Sequence, residues 1–352
     1  MLFRVPQGPR VANPYPGFKG EGKRFLLSRR RRGRTREVSG TIASWNVTYG
    51  FVKPTLSALR HLLGRSREVF CSPPPPAVAP ASRPAATEES DRLKQGVSQR
   101  MPDNPCLKGF KVFSQNEEDG IIEEILSRVS RRSAPNRRFF EIGCGNGLEN
   151  NSHYLLLKGY QGYWIDGDEQ NIDFIRNGLG GLDFPALRVR QSFVDLSNVE
   201  SVVSEAIAFL GTREPDFFSL DIDGNDRWLL EKALLCFEPK VLCLEYNAKF
   251  PPSLAISIAY NANHRWAGDD YHGASLRAFC ECLGGYRLAC CDLSGVNAFF
   301  VRKDIAADFP DLAVESLYQP FRERLTVPTV GHPPSLKWLR DKLTLPPPAP
   351  RS

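Results

Sequence analysis

Between residues 108 and 302 short apolar runs alternate with longer amphipathic stretches, and the spacing predicts which are strands and which helices. The runs at 139–142, 160–166, 187–194, 217–222 and 241–246 are each long enough for one buried strand. Between them, 172–177, 199–210 and 227–236 carry apolar residues at helical spacing, and Asn150, Asn151 and Ser152 are candidate caps for a helix through Leu157. Upstream, Ser114 with Glu117 three residues on reads as a capping box for a helix of about three turns built on Ile121, Ile122 and Ile125. Downstream come a helix over 275–283, a strand over 286–291, a turn (DLSGVN) and a last strand over 298–302. Strands and helices in this alternation predict an α/β fold with a doubly wound, mostly parallel sheet, closed by a hairpin.

Two regions depart from the alternation. Residues 247–272 form a long loop rich in His, Trp, Tyr and Asn, and loops of this length are usually functional or disordered. Residues 1–100 hold Arg29 to Arg32, Arg34 and Arg36, then a Pro/Ala-rich run, a composition that buries too little apolar surface to offset chain entropy. Three readings of this stretch stay open: a disordered leader, an organelle transit peptide, or sequence upstream of a start at Met101. The expected organisation is a leader over 1–100, one domain over 101–308 containing the loop, and a Pro-rich tail over 309–352.

Composition changes the picture in one respect. The chain's net charge of +6 comes from residues 1–100, which hold 19 Lys+Arg against 6 Asp+Glu. The remainder holds 27 against 34, and an acidic domain is a poor partner for nucleic acid. No apolar run is long enough to span a membrane. Nine cysteines, an odd number, with no secretory signal favour reduced thiols and a cytoplasmic location; the organelle alternative follows if the leader is a transit peptide. Cys280, Cys282, Cys290 and Cys291 lack zinc-ribbon spacing and read as buried structural residues.

The chemistry starts at FFEIGCGNG, residues 139–147. A strand running into Gly143, Gly145 and Gly147 is how an open sheet brings its backbone close to a nucleotide-like ligand. Leu148 spoils the dinucleotide fingerprint, and Glu141 repels a pyrophosphate while accepting hydrogen bonds from an ammonium. S-adenosylmethionine (SAM), with an ammonium, a sulfonium and no phosphate, fits that pattern better than NAD. Asp166, about 20 residues on, is placed for the ribose hydroxyls, with Asp168 as competitor. Asp195 is a candidate for the adenine amino group, though an Asx turn explains it equally.

Strands four and five end in SLDIDGND and LEYN, which gather oxygen-bearing side chains. Asp221 is a candidate for the SAM amino group. Asp223, Glu245 and Asn247 suit a hard cation such as Mg²⁺ held over substrate hydroxyls, or else direct hydrogen bonds to a sugar-like substrate. In the loop, His272 is preferred over His264 as general base alongside Asp223, and Trp266 and Tyr271 suit a sugar face or an anchoring role.

The run of SQNEEDG, EIGCGNG, WIDGD, SLDIDGND, CLEYN and GVNAFFVR, covering about residues 108–303, resembles class I SAM-dependent methyltransferases of the FkbM type. The resemblance implies a Rossmann-like seven-stranded sheet, SAM as methyl donor and O-methylation of sugar or polyketide hydroxyls. It places Glu141, Gly143, Gly145 and Asp166 at SAM and Asp223 at the substrate. Asp223 and Asp226 stand where that family usually has Glu. The implied function is O-methylation of a saccharide or similar polyhydroxylated metabolite. The rival from another class is a methyltransferase-like module that acts by binding partners.

Overall fold

The computed structural model describes residues 83–181, 184–325 and 335–344. The chain divides into two units, Met1–Pro74 and Pro75–Ser352, and every described residue belongs to the second. The Arg-rich block and Cys71 therefore lie outside the described residues.

The elements are α1 (Arg83–Arg100), α2 (Glu118–Val129), β1 (Arg138–Ile142), α3 (His153–Leu157), β2 (Gln161–Asp166), α4 (Glu169–Gly178), β3 (Leu187–Gln191) and α5 (Val199–Leu210). There follow β4 (Phe217–Leu220), α6 (Asp226–Ala233), β5 (Val241–Glu245), α7 (Leu276–Cys282), β6 (Tyr286–Cys291), β7 (Asn297–Arg302), α8 (Val314–Leu317) and α9 (Ser335–Thr344). The seven strands form one sheet in the order β3-β2-β1-β4-β5-β7-β6. The first five pair in parallel, and β7 runs antiparallel between β5 and β6. This is the expected α/β fold: a seven-stranded, mostly parallel sheet with a C-terminal antiparallel hairpin.

Strand alternation builds a core on each face. Phe139, Trp164, Phe217, Val241 and Phe299 point to one side, where Ile121, Ile125, Leu155, Leu156, Ile172 and Ile175 cover them. Phe140, Tyr163, Phe218, Leu242 and Phe300 point to the other, under α5, α6 and α7. At the amino edge Asp216 and Lys240 form a buried ion pair at 2.9 Å. Asp216 also accepts from the Asn136 and Arg137 amides, and Lys240 donates to the Ala134 carbonyl. That knot ties the starts of β1, β4 and β5 together, leaving the carboxyl edge for chemistry.

Several local expectations are corrected. The stretch expected to be a leader to residue 100 ends in α1, whose Val97 is in the core. The Pro-rich tail contains a helix that its composition did not foretell, α9, whose buried Leu336 packs against Gly178 of α4. Ser114 and Glu117 make no capping box: Ser114 accepts from the Asp119 amide, and Asp119 accepts from Val112, Phe113 and Ser114. Glu117 instead pairs with Lys94 of α1 at 2.8 Å. The helix therefore starts from a knot of its own carboxylate, which the three-residue spacing does not reveal. The eight described cysteines are free, with Cys290 and Cys291 buried on β6. Among the described residues no helix is long and apolar enough to cross a membrane.

Candidate functional site

Three cavities meet at the carboxyl edge, and Asp221 borders all of them. The first, about 350 Å³, lies over the glycine turn beside Glu141, Gly143, Gly145, Glu149 and Asn150. The second, about 540 Å³, runs past the ends of β2 and β3, beside Asp166, Asp168, Phe193 and Arg265. The third, about 1000 Å³, lies under the long loop beside Asp223, Glu245, Trp266 and His272, with Phe321 of the C-terminal segment at its wall.

The turn between β1 and α3 is shaped by close approach. Gly143 has φ 88°, and a Cβ there would lie 1.5 Å from the Asp221 carbonyl oxygen. Gly145 donates to Asp166 Oδ2 at 2.8 Å, while Asp166 Oδ1 accepts from the Asp168 amide (2.8 Å) and Asn171 Nδ2 (3.1 Å). Asp166 thus lines the second cavity as placed by sequence, but its carboxylate also holds the turn. Asp168 caps α4 through the Gln170 amide. Gly147 borders none of the three; its would-be Cβ meets Ile175 and Trp164, so it serves helix packing.

Glu141 is buried and spoken for. Asn150 Nδ2 donates to it at 2.8 Å and the Asn151 amide at 2.9 Å, and Ser152 Oγ donates as well, itself receiving Trp164 Nε1. The three polar residues expected to cap α3 turn inward instead, because an enclosed carboxylate needs donors more than a short helix needs a cap. Burial pushes Glu141 up to about 7, against the pull of those donors. Beside it, Asn150 Oδ1 and Glu149 Oε1 are buried without partners. Unpaired acceptors beside a glycine turn suit a ligand rich in N–H donors, which an ammonium is.

Asp221, Asp223 and Glu245 each offer a carboxylate oxygen within 4.8 Å of the others. Asp223 sits at φ 53°, a left-handed conformation, in a turn whose Ile222 and Gly224 amides are both held by Asp226. Burial and mutual repulsion drive Asp221 and Glu245 well above the usual carboxylate range. Burial also raises Asp223, while His272 and His264 pull it down. His272 Nδ1 lies 3.6 Å from Glu245 Oε2. The donor chemistry fits a hard divalent cation, held by Asp221, Asp223 and Glu245.

The expected third ligand, Asn247, borders the third cavity, but its side-chain amide is turned to the loop. Asn247 donates Nδ2 to the Asp270 and His272 carbonyls (3.0 and 3.1 Å) and accepts from the Lys249 amide (3.2 Å), so it shapes the loop. Asp195 is corrected too: it accepts from the Ser197 amide and hydroxyl, an Asx turn ahead of α5, and borders none of the three cavities. Tyr271 lines a separate small cavity of about 50 Å³, whereas Trp266 stands at the large one. His264 holds the Asp223 carbonyl at 3.2 Å, a scaffold contact. Phe193, Arg265, Gln115 and Asn297 line the cavities unforeseen; Gln115, within SQNEEDG, and Asn297, within GVNAFFVR, belonged to stretches singled out by resemblance.

The raised acids fix a pH dependence. Glu141 and Asp292 sit near 7 and Asp226 near 6, each chiefly through burial, so the folded chain holds protons the unfolded chain has released. Stability is therefore lost as pH rises through those values. We expect the ligand-free melting temperature to fall between pH 5 and pH 8, by about 2–4 °C for each kcal/mol lost, as read by scanning calorimetry. A rise over that range would show the acids ionised in the fold.

No family model and no curated protein matches the chain. Among solved structures, monomeric WbdD is 17% identical, with 59% of this chain and 45% of that one covered at a TM-score of 0.35. The methyltransferase domain of bacterial CtHen1-C is 13% identical over 51% of this chain and 96% of its own, at 0.33. The N-terminal domain of EvdMO1 with SAH bound is 11% identical over 60% and 94%, at 0.34. The chain thus spans under half the length of WbdD.

Proposed function

We propose that the chain is a SAM-dependent methyltransferase that methylates a hydroxyl of a saccharide or similar polyhydroxylated metabolite, consistent with its FkbM-type motifs. The observation that carries this reading is the meeting of three cavities at one carboxylate group, with half-exposed Trp266 and Phe321 beside the largest. Two cavities over the glycine turn and the ends of β2 and β3 suit the amino-acid and nucleoside ends of the donor. The third suits a polar ring stacked on an aromatic face.

SAM supplies a methyl group on a positively charged sulfur. With SAM bound, that carbon would be open to the acceptor oxygen, the electron pair of the broken carbon–sulfur bond staying on sulfur and the hydroxyl proton passing to the enzyme. Asp223 orients the hydroxyl and His272 takes its proton. Glu149 and Asn150 hold the ammonium, and the Asp166 turn the ribose. Where a divalent cation such as Mg²⁺ is used, Asp221, Asp223 and Glu245 hold it.

Calorimetric titration of the full chain with SAM, S-adenosylhomocysteine (SAH) and NAD tests the reading. Saturable binding of the first two and none of NAD is expected, followed by methyl transfer to polyhydroxylated acceptors. A second reading, a non-catalytic binding module, draws on Glu141 and Asp166 being engaged within the protein. A folded chain with no affinity for SAM or SAH would favour it.

A further inference from the structure

Arg265 and Trp266 are neighbours in the long loop, yet they border different cavities. Arg265 lines the second beside Asp166 and Phe193, and Trp266 lines the third beside Asp223 and His272. The Arg265 guanidinium lies over the Phe193 ring, 3.6 Å from its centroid, and Nη1 donates to the His264 carbonyl at 2.8 Å. The segment leading there is tied to the nucleoside side of the sheet. Tyr260 Oη accepts from the Leu196 amide, and Asn261 and Asn225 exchange a reciprocal pair. His264 packs so closely on Gly224 that a Cβ there would lie 2.3 Å from its ring. One continuous segment therefore closes the second cavity and walls the third.

We propose that Arg265 is a cofactor-pocket residue carried on the acceptor loop, so that a nucleoside seated beside Phe193 fixes the loop and the acceptor binds second. The proposal rests on the SAM reading above and adds to it a positioning residue and an order of binding. The physical basis is the flat guanidinium. It stacks on Phe193 with one face and spends Nη1 on the His264 carbonyl, which leaves Nε and Nη2 as edge donors to the ring nitrogens of a planar heterocycle. A loop braced through that ligand has fewer conformations to lose when the acceptor arrives.

The test uses the full chain, SAH as probe, calorimetry for affinity and hydrogen exchange over residues 258–272 for loop order. In the native chain SAH should slow exchange across that segment. Arg265→Ala should weaken SAH by about 3- to 30-fold, the range of a stacked cation, and abolish the slowing even at saturation. Arg265→Lys should not restore it, because an ammonium cannot stack as a plane. An unchanged ligand-free melting temperature would show that Arg265→Ala leaves the fold intact. If Arg265→Ala keeps native affinity, or loses affinity but still shows the slowing, the proposal is overturned while the SAM reading stands. If the native chain does not bind SAH, both fall.

Discussion

Asp223→Asn should lower kcat/KM for methyl transfer by about 10²- to 10⁴-fold, the span of a lost acid–base or orienting carboxylate, while SAH affinity stays within about twofold. The substitution is unusually clean. Asp223 is held at φ 53°, where asparagine is among the few side chains tolerated, so the turn survives. The charge is what goes. Asp223 borders both the second and third cavities; its charge helps raise Asp221 and Glu245, and His272 draws the Asp223 carboxyl down. Single-turnover assays with bound SAM separate chemistry from binding. Retention of more than about a tenth of native kcat/KM would remove Asp223 from the catalytic group and leave His272 with Glu245 as the site of proton removal.

Gly143→Ala should be the most damaging single methyl in the domain. Two costs add: the left-handed backbone at φ 88°, roughly 1–2 kcal/mol for a residue with a Cβ, and the overlap of that carbon with the Asp221 carbonyl. Relief requires β1 and β4 to part where the Asp221 amide donates to the Ile142 carbonyl at 3.1 Å. We expect a loss of about 3 kcal/mol or more, seen in denaturant melts, together with loss of SAH binding because Asp221 walls all three cavities of the candidate site. Gly145→Ala is the control. Its φ is 54° but its Cβ would meet open space, so only the backbone cost applies. Equal effects of the two would mean that the β1–β4 approach is looser than the structure shows.

The sheet was legible because its central strands are buried on both faces and read as apolar runs, whereas edge strand β3 keeps only Leu187 buried. The 199–210 helix and the 286–291 strand emerged with the predicted bounds. The glycine turn and the acids at strand ends were legible for the same reason, since a strand's end fixes where its last side chain stands. What escaped was the direction of polar side chains. Asn150, Asn151 and Ser152 answer to Glu141, and Asn247 answers to the Asp270 and His272 carbonyls more than 20 residues away. Local spacing favours caps and ligands, whereas burial decides by counting donors across the fold. Phe193 and Arg265 were invisible because each is unremarkable alone and meaningful only when stacked.

The ties that Asn225, Trp228, Ser275 and Arg277 make to the long loop end on backbone atoms. They reach the Asn261, Ile258, Leu254 and Pro252 carbonyls and the Ile256 and Asn261 amides. Such bonds persist whatever side chains the loop carries, so the frame reads the loop's path and not its lettering. Of the loop residues lining the large cavity, Trp266 donates to the Asp269 carbonyl and Asp269 accepts from the Tyr271 amide, so the tip holds itself while the frame holds its ends. On the proposed reading, Trp266→Ala should change which acceptor is taken while the loop keeps its backbone path over the same sheet.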